Sequence, residues 1–376
     1  DVGTLRELQN FKDGTIDQWM ALGMIDPLRY PNTDWWDLVM RHGETQNYNV
    51  SASGGSDKAK FYISLGYMNE KGLQINNDFN RYNARFNLDY DLHKNITVGA
   101  RFDGNWSKQL YSYSDGFTDG SDSGGDLRYA VAGITPYDPV TGYYGGVMAY
   151  GEDPQAFNPL VVYNNMQNHK DRQEANVNGY LLWTPIKNLT ARIEYGLSYY
   201  NQFEWQAKTP ATAYNFQTDS FGSRVYVGKN AGISNYTTTG YKTILNTRLN
   251  YGIVLGKDHD ISAMFAYNEE YWYKRYQSGT RDDRIHESIH ELDGASVEKM
   301  TAGGYSETEG LRSYIGRLNY AFASKYLLEM TFRVDGSSKF LKGSQYGFFP
   351  SAALGWRFTE EEFIKGFSEK WLSNGK

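Results

Sequence analysis

From Tyr82 onward the chain alternates with a period of two. Tyr82, Ala84, Phe86, Leu88, Tyr90 and Leu92 fall at one parity, and Asn83, Arg85, Asn87, Asp89 and Asp91 at the other. Successive side chains of an extended strand point to opposite faces, so this stretch predicts a strand with one apolar and one polar face. After the turn His93-Lys94 the pattern resumes with Ile96, Val98, Ala100, Phe102, Gly104 and Trp106 against Thr97, Gly99, Arg101, Asp103 and Asn105, which predicts a hairpin. The same unit recurs along the chain. Phe61, Ile63, Leu65 and Tyr67 follow a Gly54-Gly55-Ser56-Asp57 turn, and Leu189, Ala191, Ile193, Tyr195, Leu197 and Tyr199 follow Pro185-Ile186-Lys187. Runs ending at Leu255 and starting at Ile261 flank Gly256-Lys257-Asp258; runs ending at Phe322 and starting at Leu328 flank Ser324-Lys325; and a last run carries Phe348, Ala352, Leu354, Trp356 and Phe358. The pattern predicts about eleven strands, many far longer than the ~5 or 6 residues usual in soluble proteins.

The connections alternate as well. One set is short turns; the other, over 109–170, 205–239, 277–310 and 337–346, is long and rich in Gly, Asp, Asn, Ser and Tyr. Short turns at one end and long loops at the other are the arrangement of an outer-membrane barrel. Its strands need about 9 to 11 residues to cross, and in lipid such a sheet must close on itself. The expected fold class is therefore all-β, a transmembrane antiparallel β-barrel. A soluble sandwich or propeller also alternates, but its loops are usually short at both ends. Whole polar faces such as Arg85, Asn87, Asp89, Arg101 and Asp103 suit a wet lumen, and Tyr67, Trp106, Trp183 and Trp356 near run ends suit the interfacial girdle. Single-chain bacterial barrels use even strand counts, so about eleven strands are expected to be the first half of a larger barrel. Segment 1–45 is expected to be a lead-in with short helices packed at the barrel end, on the capping-box spacing of Thr4 and Glu7. Residues 46–359 are expected to hold the strands, and 360–376 a loop leading to further ones.

Composition narrows the chemistry. The 376 residues contain no cysteine, which excludes disulfides, thiolate zinc sites and cysteine nucleophiles. Aromatics at 16% and 39 glycines argue against disorder. The longest apolar run, Ala263 to Tyr267, falls far short of the ~20 residues of a spanning helix. A net charge of −6 without a basic stripe argues against nucleic acid.

Several stretches carry a more specific signal. Pro31-Asn32-Thr33-Asp34-Trp35, the segment NYNVSASGGSDKAKFYISLGYMNEKGLQINNDFNRYNARFNLDY from Asn47 to Tyr90, RVDGSSKF from Arg333 to Phe340 and YGFFPSAALGWRFTEEEF from Tyr346 to Phe363 resemble, in this order, signatures of the SusC/RagA family of TonB-dependent outer-membrane transporters. The resemblance implies a plugged barrel of about 22 strands, of which this chain would hold the first half. It further implies a plug before the barrel, a TonB-contacting segment outside this chain, and a SusD-like surface lipoprotein as lid. In that family the region of Trp371-Leu372 leads into the next strand.

Three constellations bear on chemistry. His286-Glu287-Ser288-Ile289-His290 fits HExxH, which on a helix binds zinc and activates water. Asp293 and Ser296 stand where the extended pattern wants Gly and a third His, so His286, Glu287 and His290 are expected to be a coincidental loop match, with no metal site and no enzyme. Asp115, Asp119, Asp122 and Asp126, interleaved with Gly and Ser, offer oxygen ligands for calcium but miss the EF-hand spacing; a solvated loop is the better reading, and no cofactor is expected. Tyr111, Tyr113, Tyr143, Tyr144, Trp205 and Trp272 lie in or beside the long loops and are the candidate ligand or lid contacts, because sugars and peptides stack on aromatic faces. The expected function is active import of a large nutrient, an oligosaccharide or oligopeptide, across a Gram-negative outer membrane, with a SusD-like lipoprotein and the TonB complex as partners. The alternatives are a passive porin-like channel and a soluble glycan-binding or glycan-cleaving β protein.

Overall fold

The computed structural model describes residues 14–112, 127, 130–146, 158–227, 230–364 and 375–376. Its frame is an 11-stranded sheet in which all neighbours are antiparallel. The strands are β1 (Glu44–Gly55), β2 (Ala59–Lys71), β3 (Asp78–His93), β4 (Ile96–Tyr111), β6 (Met166–Ile186), β7 (Leu189–Lys208), β10 (Gly232–Leu255), β11 (His259–Asp282), β12 (Met300–Phe322), β13 (Tyr326–Ser337) and β14 (Tyr346–Trp356). They lie in the sheet in sequence order, as a meander. Three short strands, β5 (Tyr144–Gly145), β8 (Ala211–Asn215) and β9 (Ser220–Tyr226), form a second, 3-stranded sheet in the long connections.

Register keeps each parity on one face across every strand, because a slip by one residue would turn a whole row over. Opposite Phe86 stand Ile63 and Phe102; opposite Arg85 stand Ser64 and Asp103. Among the described residues no second layer covers the apolar face. Ile63, Leu65, Val177, Ile193, Leu197, Phe265 and Phe332 are exposed, whereas the buried apolar side chains among the described residues lie in the loop layer and at the strand tops, such as Tyr163, Val161, Phe216 and Ile233. A soluble sandwich would bury these rows against another sheet; here they form the lipid-facing wall.

Aromatic belts bound that wall. Tyr48, Tyr67, Tyr82 and Trp106 run across β1 to β4 with ring centroids 6.4, 5.0 and 5.8 Å apart. At the short-turn end stand Trp183, Phe322, Tyr326 and Trp356, all exposed. Along β3, Tyr82 and Tyr90 are separated by about 27 Å of strand at ~3.4 Å per residue, which matches an apolar band ~25 Å tall. Glu361 closes this end. It accepts from the Tyr326 hydroxyl at 2.7 Å, Lys325 at 3.0 Å and Trp356 Nε1 at 3.2 Å, and the hydroxyl above all holds its carboxyl down to about 2.

The strands run further than the alternation suggests. β6, β7, β10, β11 and β12 have 21, 20, 24, 24 and 23 residues, about twice what a bilayer needs. The long connections therefore start at 112, 209, 283 and 338 instead of 109, 205, 277 and 337. Their tops carry polar residues at both parities, which reads as loop in sequence although the backbone stays paired.

Helices α1 (Thr15–Gly23), α2 (Trp35–Val39) and α3 (Pro159–Asn165) belong to the loop layer. Asp34 and Asn158 cap α2 and α3, accepting from Trp36 N at 3.0 Å and Leu160 N at 3.1 Å. Since Glu44 pairs with Lys71, far from the β1–β2 turn, the segment before β1 sits at the long-connection end. There Thr33 Oγ1 donates to Ile134 O at 2.8 Å, Trp35 Nε1 to Val131 O at 2.9 Å, and Arg29 pairs with Asp219 at 2.8 Å. Thr4 and Glu7 lie outside the described residues, as does Trp371-Leu372.

One turn is strained. Ala323 and Ser324, in the three-residue connection between β12 and β13, both have positive φ, 50° and 58°, as the central pair of a turn closed by Lys325 N on Phe322 O, a conformation that favours Asn-Gly. Replacing Ser324 by Gly is expected to stabilise the protein by about 0.5 to 1 kcal/mol. Urea unfolding in detergent would read this as a higher midpoint at an unchanged slope.

Candidate functional site

The polar face of the sheet is a connected surface. Arg85 pairs with Asp103 at 3.0 Å and Arg101 with Asp89 at 3.5 Å. Tyr180 lies between them and the next strands: its hydroxyl donates to Asp89 at 2.6 Å, Arg192 stands 3.9 Å and Arg101 5.1 Å from its ring centre, and Arg192 pairs with Glu194 at 2.9 Å. Further up, Glu174 accepts from Asn105 at 2.8 Å and also pairs with Arg172. Near the rim Lys170 lies 3.7 Å from Glu204 and 5.3 Å from the ring of Tyr111, whose hydroxyl donates to Glu204 at 2.7 Å. Charges of both signs at these spacings hold one another in place and present hydrogen-bonding groups to the water-facing side. Such a wall suits passage of a polar solute.

The candidate aromatics separate into distinct environments. Tyr111 is on this polar face, and Trp272, in β11, shares it between Lys242 and Glu309 of the flanking strands. Tyr143 packs in an aromatic cluster, 4.8 Å from Tyr214 and 4.9 Å from Phe221. Tyr144 is 8% exposed in the loop-layer core, its hydroxyl donating to Asn165 Oδ1 at 3.0 Å, and burial pushes its phenol up. Trp205 sits within β7, on the parity opposite to Tyr111, between the rings of His169 at 5.7 Å and His290 at 4.4 Å. Tyr113 and the four aspartates 115, 119, 122 and 126 lie outside the described residues. The five described aromatics thus occupy separate environments. Sequence reasoning passed over Tyr180, Lys170 and Glu204, although the signal was present as charged residues recurring at the non-apolar parity.

His286-Glu287-Ser288-Ile289-His290 is a turn, not a helix. His286 Nδ1 is bonded to Ser288 Oγ at 2.8 Å while the His290 ring stacks on Trp205, so the two imidazoles are engaged separately. Among the described residues no three His, Cys, Asp or Glu are grouped to hold a metal. Burial, then the neighbouring Arg284 charge, pushes the His290 ring below its ordinary value, against an opposing pull from Glu291. A base that resists protonation when docked keeps its docking energy above its ordinary pKa of ~6.5 and loses it as pH falls from there towards the lowered value. The 283–299 connection is therefore expected to loosen on acidification. Protection of this segment's amides, taken against the intrinsic exchange rate at each pH, should fall between pH 7.5 and pH 5, and a His290→Phe variant, which stacks without titrating, should lose that dependence.

No family model matches the chain. It is 29% identical over 348 residues to TonB-dependent receptor P3 of Formosa agariphila, covering 89% of this chain and 32% of that protein. To TonB-dependent receptor SusC of Bacteroides thetaiotaomicron it is 28% identical over 352 residues, covering 89% and 33%. Among solved structures, the RagAB peptide transporter superposes with a TM-score of 0.70 at 18% identity, over 90% of this chain and 37% of that one. The RagAB peptide importer in its open-open state gives 0.69 at 20% identity, over 88% and 36%. The chain spans about a third of the length of the curated relatives it matches. Along most of its length in sequence, and in fold, this chain is similar to the barrel portion of SusC/RagA-like TonB-dependent receptors, a class seated in the outer membrane of Gram-negative bacteria.

Proposed function

We propose that the chain forms part of the wall of an active importer that carries a large nutrient, an oligosaccharide or oligopeptide, across the outer membrane with energy from TonB and a SusD-like surface lipoprotein as lid. The observation that carries this reading is the sheet's two faces: an uncovered apolar row bounded by aromatic belts, and behind it a continuous field of paired charges. The strand tops and loop layer stand well beyond the apolar band, where a lid and a captured ligand would meet them. The RagAB relatives are described as peptide transporters, which favours a peptide for this chain, while the SusC likeness keeps glycans in view. In this reading the protein is not an enzyme, and selection rests on hydrogen bonds and stacking along the wall.

Growth of the source bacterium on a defined oligopeptide or oligosaccharide mixture as sole nutrient tests it. Deleting the gene should abolish use of at least one component, and disabling TonB should have the same effect. Uptake that survives loss of TonB would instead indicate a passive channel, and recovery of the protein in the detergent-free soluble fraction would overturn both.

A further inference from the structure

Among the described residues Arg284, in the connection after β11, forms no ion pair, although the Glu287 carboxylate is near enough to act on it. The neighbouring cations have one: Arg281 pairs with Asp293 at 3.1 Å and Lys299 with Asp283 at 2.8 Å. Arg284 is 8% exposed and donates to two neutral acceptors, Ile289 O at 3.1 Å and Thr209 Oγ1 at 2.8 Å. Its Nε is buried with no partner, and among the described residues it forms no ion pair. A buried cation is costly unless something of opposite charge answers it.

Arg284 lines a cavity of about 350 Å³ in the loop layer, together with Tyr144, Asn165, Gln167, Thr209 and His290. His290 Nε2 is likewise buried without a partner. The wall thus holds two buried nitrogens without a partner and a positive charge that no described carboxylate pairs. Glu287 also lines the cavity; its charge reaches Arg284 and Tyr144 without pairing to either. The volume lies at the small end of ligand sites, ~300 to 1,000 Å³, and leaves room for an organic residue beyond a bare ion.

We propose that this cavity is a carboxylate-binding subsite, in which Arg284 receives the carboxylate of a sugar acid or of a peptide's terminal residue. Guanidinium matches a carboxylate in shape and charge. The assignment does not depend on transport, because it concerns binding to the purified protein.

Calorimetric titration of the full-length protein in detergent tests it with four probes: glucuronate and N-acetylglycine, and their neutral counterparts glucose and N-acetylglycinamide. At least one acid should bind about tenfold or more tightly than its neutral counterpart, and the tighter acid identifies the ligand source. Arg284→Gln should weaken that acid by about tenfold or more. Thr209→Val, which removes a loop bond but no charge, should stay within about threefold. Glu287→Gln should strengthen acid binding, since it removes a competing negative charge, and it decides the matter if Arg284→Gln fails to fold. The proposal is overturned if neither acid binds, if acids and neutral probes bind alike, if inorganic phosphate binds as tightly as the acids, if Glu287→Gln leaves the acid affinity unchanged or lower, or if Thr209→Val loses as much as Arg284→Gln.

Discussion

Ile193→Arg is expected to cost about 2 to 4 kcal/mol and to leave little folded protein in the outer membrane, as a charge on the lipid face near the bilayer midplane does. Ile193 is 52% exposed on β7, where it stands opposite Leu181 and Thr247. It lies about 13 Å along the strand from Leu189 at ~3.3 Å per residue, close to the middle of the apolar band. The adjacent residue is already an arginine. Arg192 lies on the other face, paired with Glu194 at 2.9 Å and stacked against Tyr180. The same side chain is thus stabilised at one position and expelled at the next, and a matched Arg192→Gln variant should cost no more than about 1 kcal/mol. Heat-modifiable migration in gels and urea unfolding in lipid would compare the two; similar losses from both would contradict a lipid-facing row.

The second large effect is expected at Gly99. A Cβ there would stand 2.0 Å from Tyr180 Cε1 and 2.8 Å from Asp89 Oδ1, because the Tyr180 ring lies flat over the glycine. Gly99→Val must push the ring away, and with it go the hydroxyl bond to Asp89 and the contact with Arg192. Overpacking and the lost cation–π contact together are expected to cost about 2 to 4 kcal/mol. Gly179 supplies the control. It is the cross-strand neighbour of Ala100, on the opposite face, and its added Cβ would meet only Gly99 O at 3.9 Å. Gly179→Val should be nearly neutral by the same unfolding assay, and equal effects at both glycines would show that the Tyr180 packing contributes little.

The sequence made the two-faced strands legible because period-two alternation is a direct image of the pleat. Phe86 and Leu88 against Arg85 and Asp89 needed no tertiary information. What lay beyond the bilayer was harder to read. At the tops of β6 and β7, Lys170, Arg172, Glu204 and Gln206 share the polar parity while Gln173 and Asn201 put polar groups on the other, so the apolar signal vanishes although the strands continue. Trp205 and Trp272 were accordingly assigned to loops or their margins and stand within strands. The place of the segment before β1 was equally hidden, since helix signals do not say at which end a helix packs. The Arg284 cavity could not be read at all: its walls come from residues near 144, 165, 207 and 284, joined only when the long connections fold together.

These 376 residues contain no cysteine, so a thiol introduced among them is unique within the chain and allows a direct test of the wall. Single cysteines placed in turn from Tyr82 to Asp91 along β3 can be labelled in outer-membrane vesicles with a spin probe and exposed to lipid-soluble oxygen or to a water-soluble paramagnetic complex. Collision with oxygen should peak at 84, 86, 88 and 90, and collision with the aqueous reagent at 83, 85, 87, 89 and 91. If positions 86 and 88 are shielded from both, the apolar row lies in a dry protein interior and the chain is not the wall of a membrane transporter.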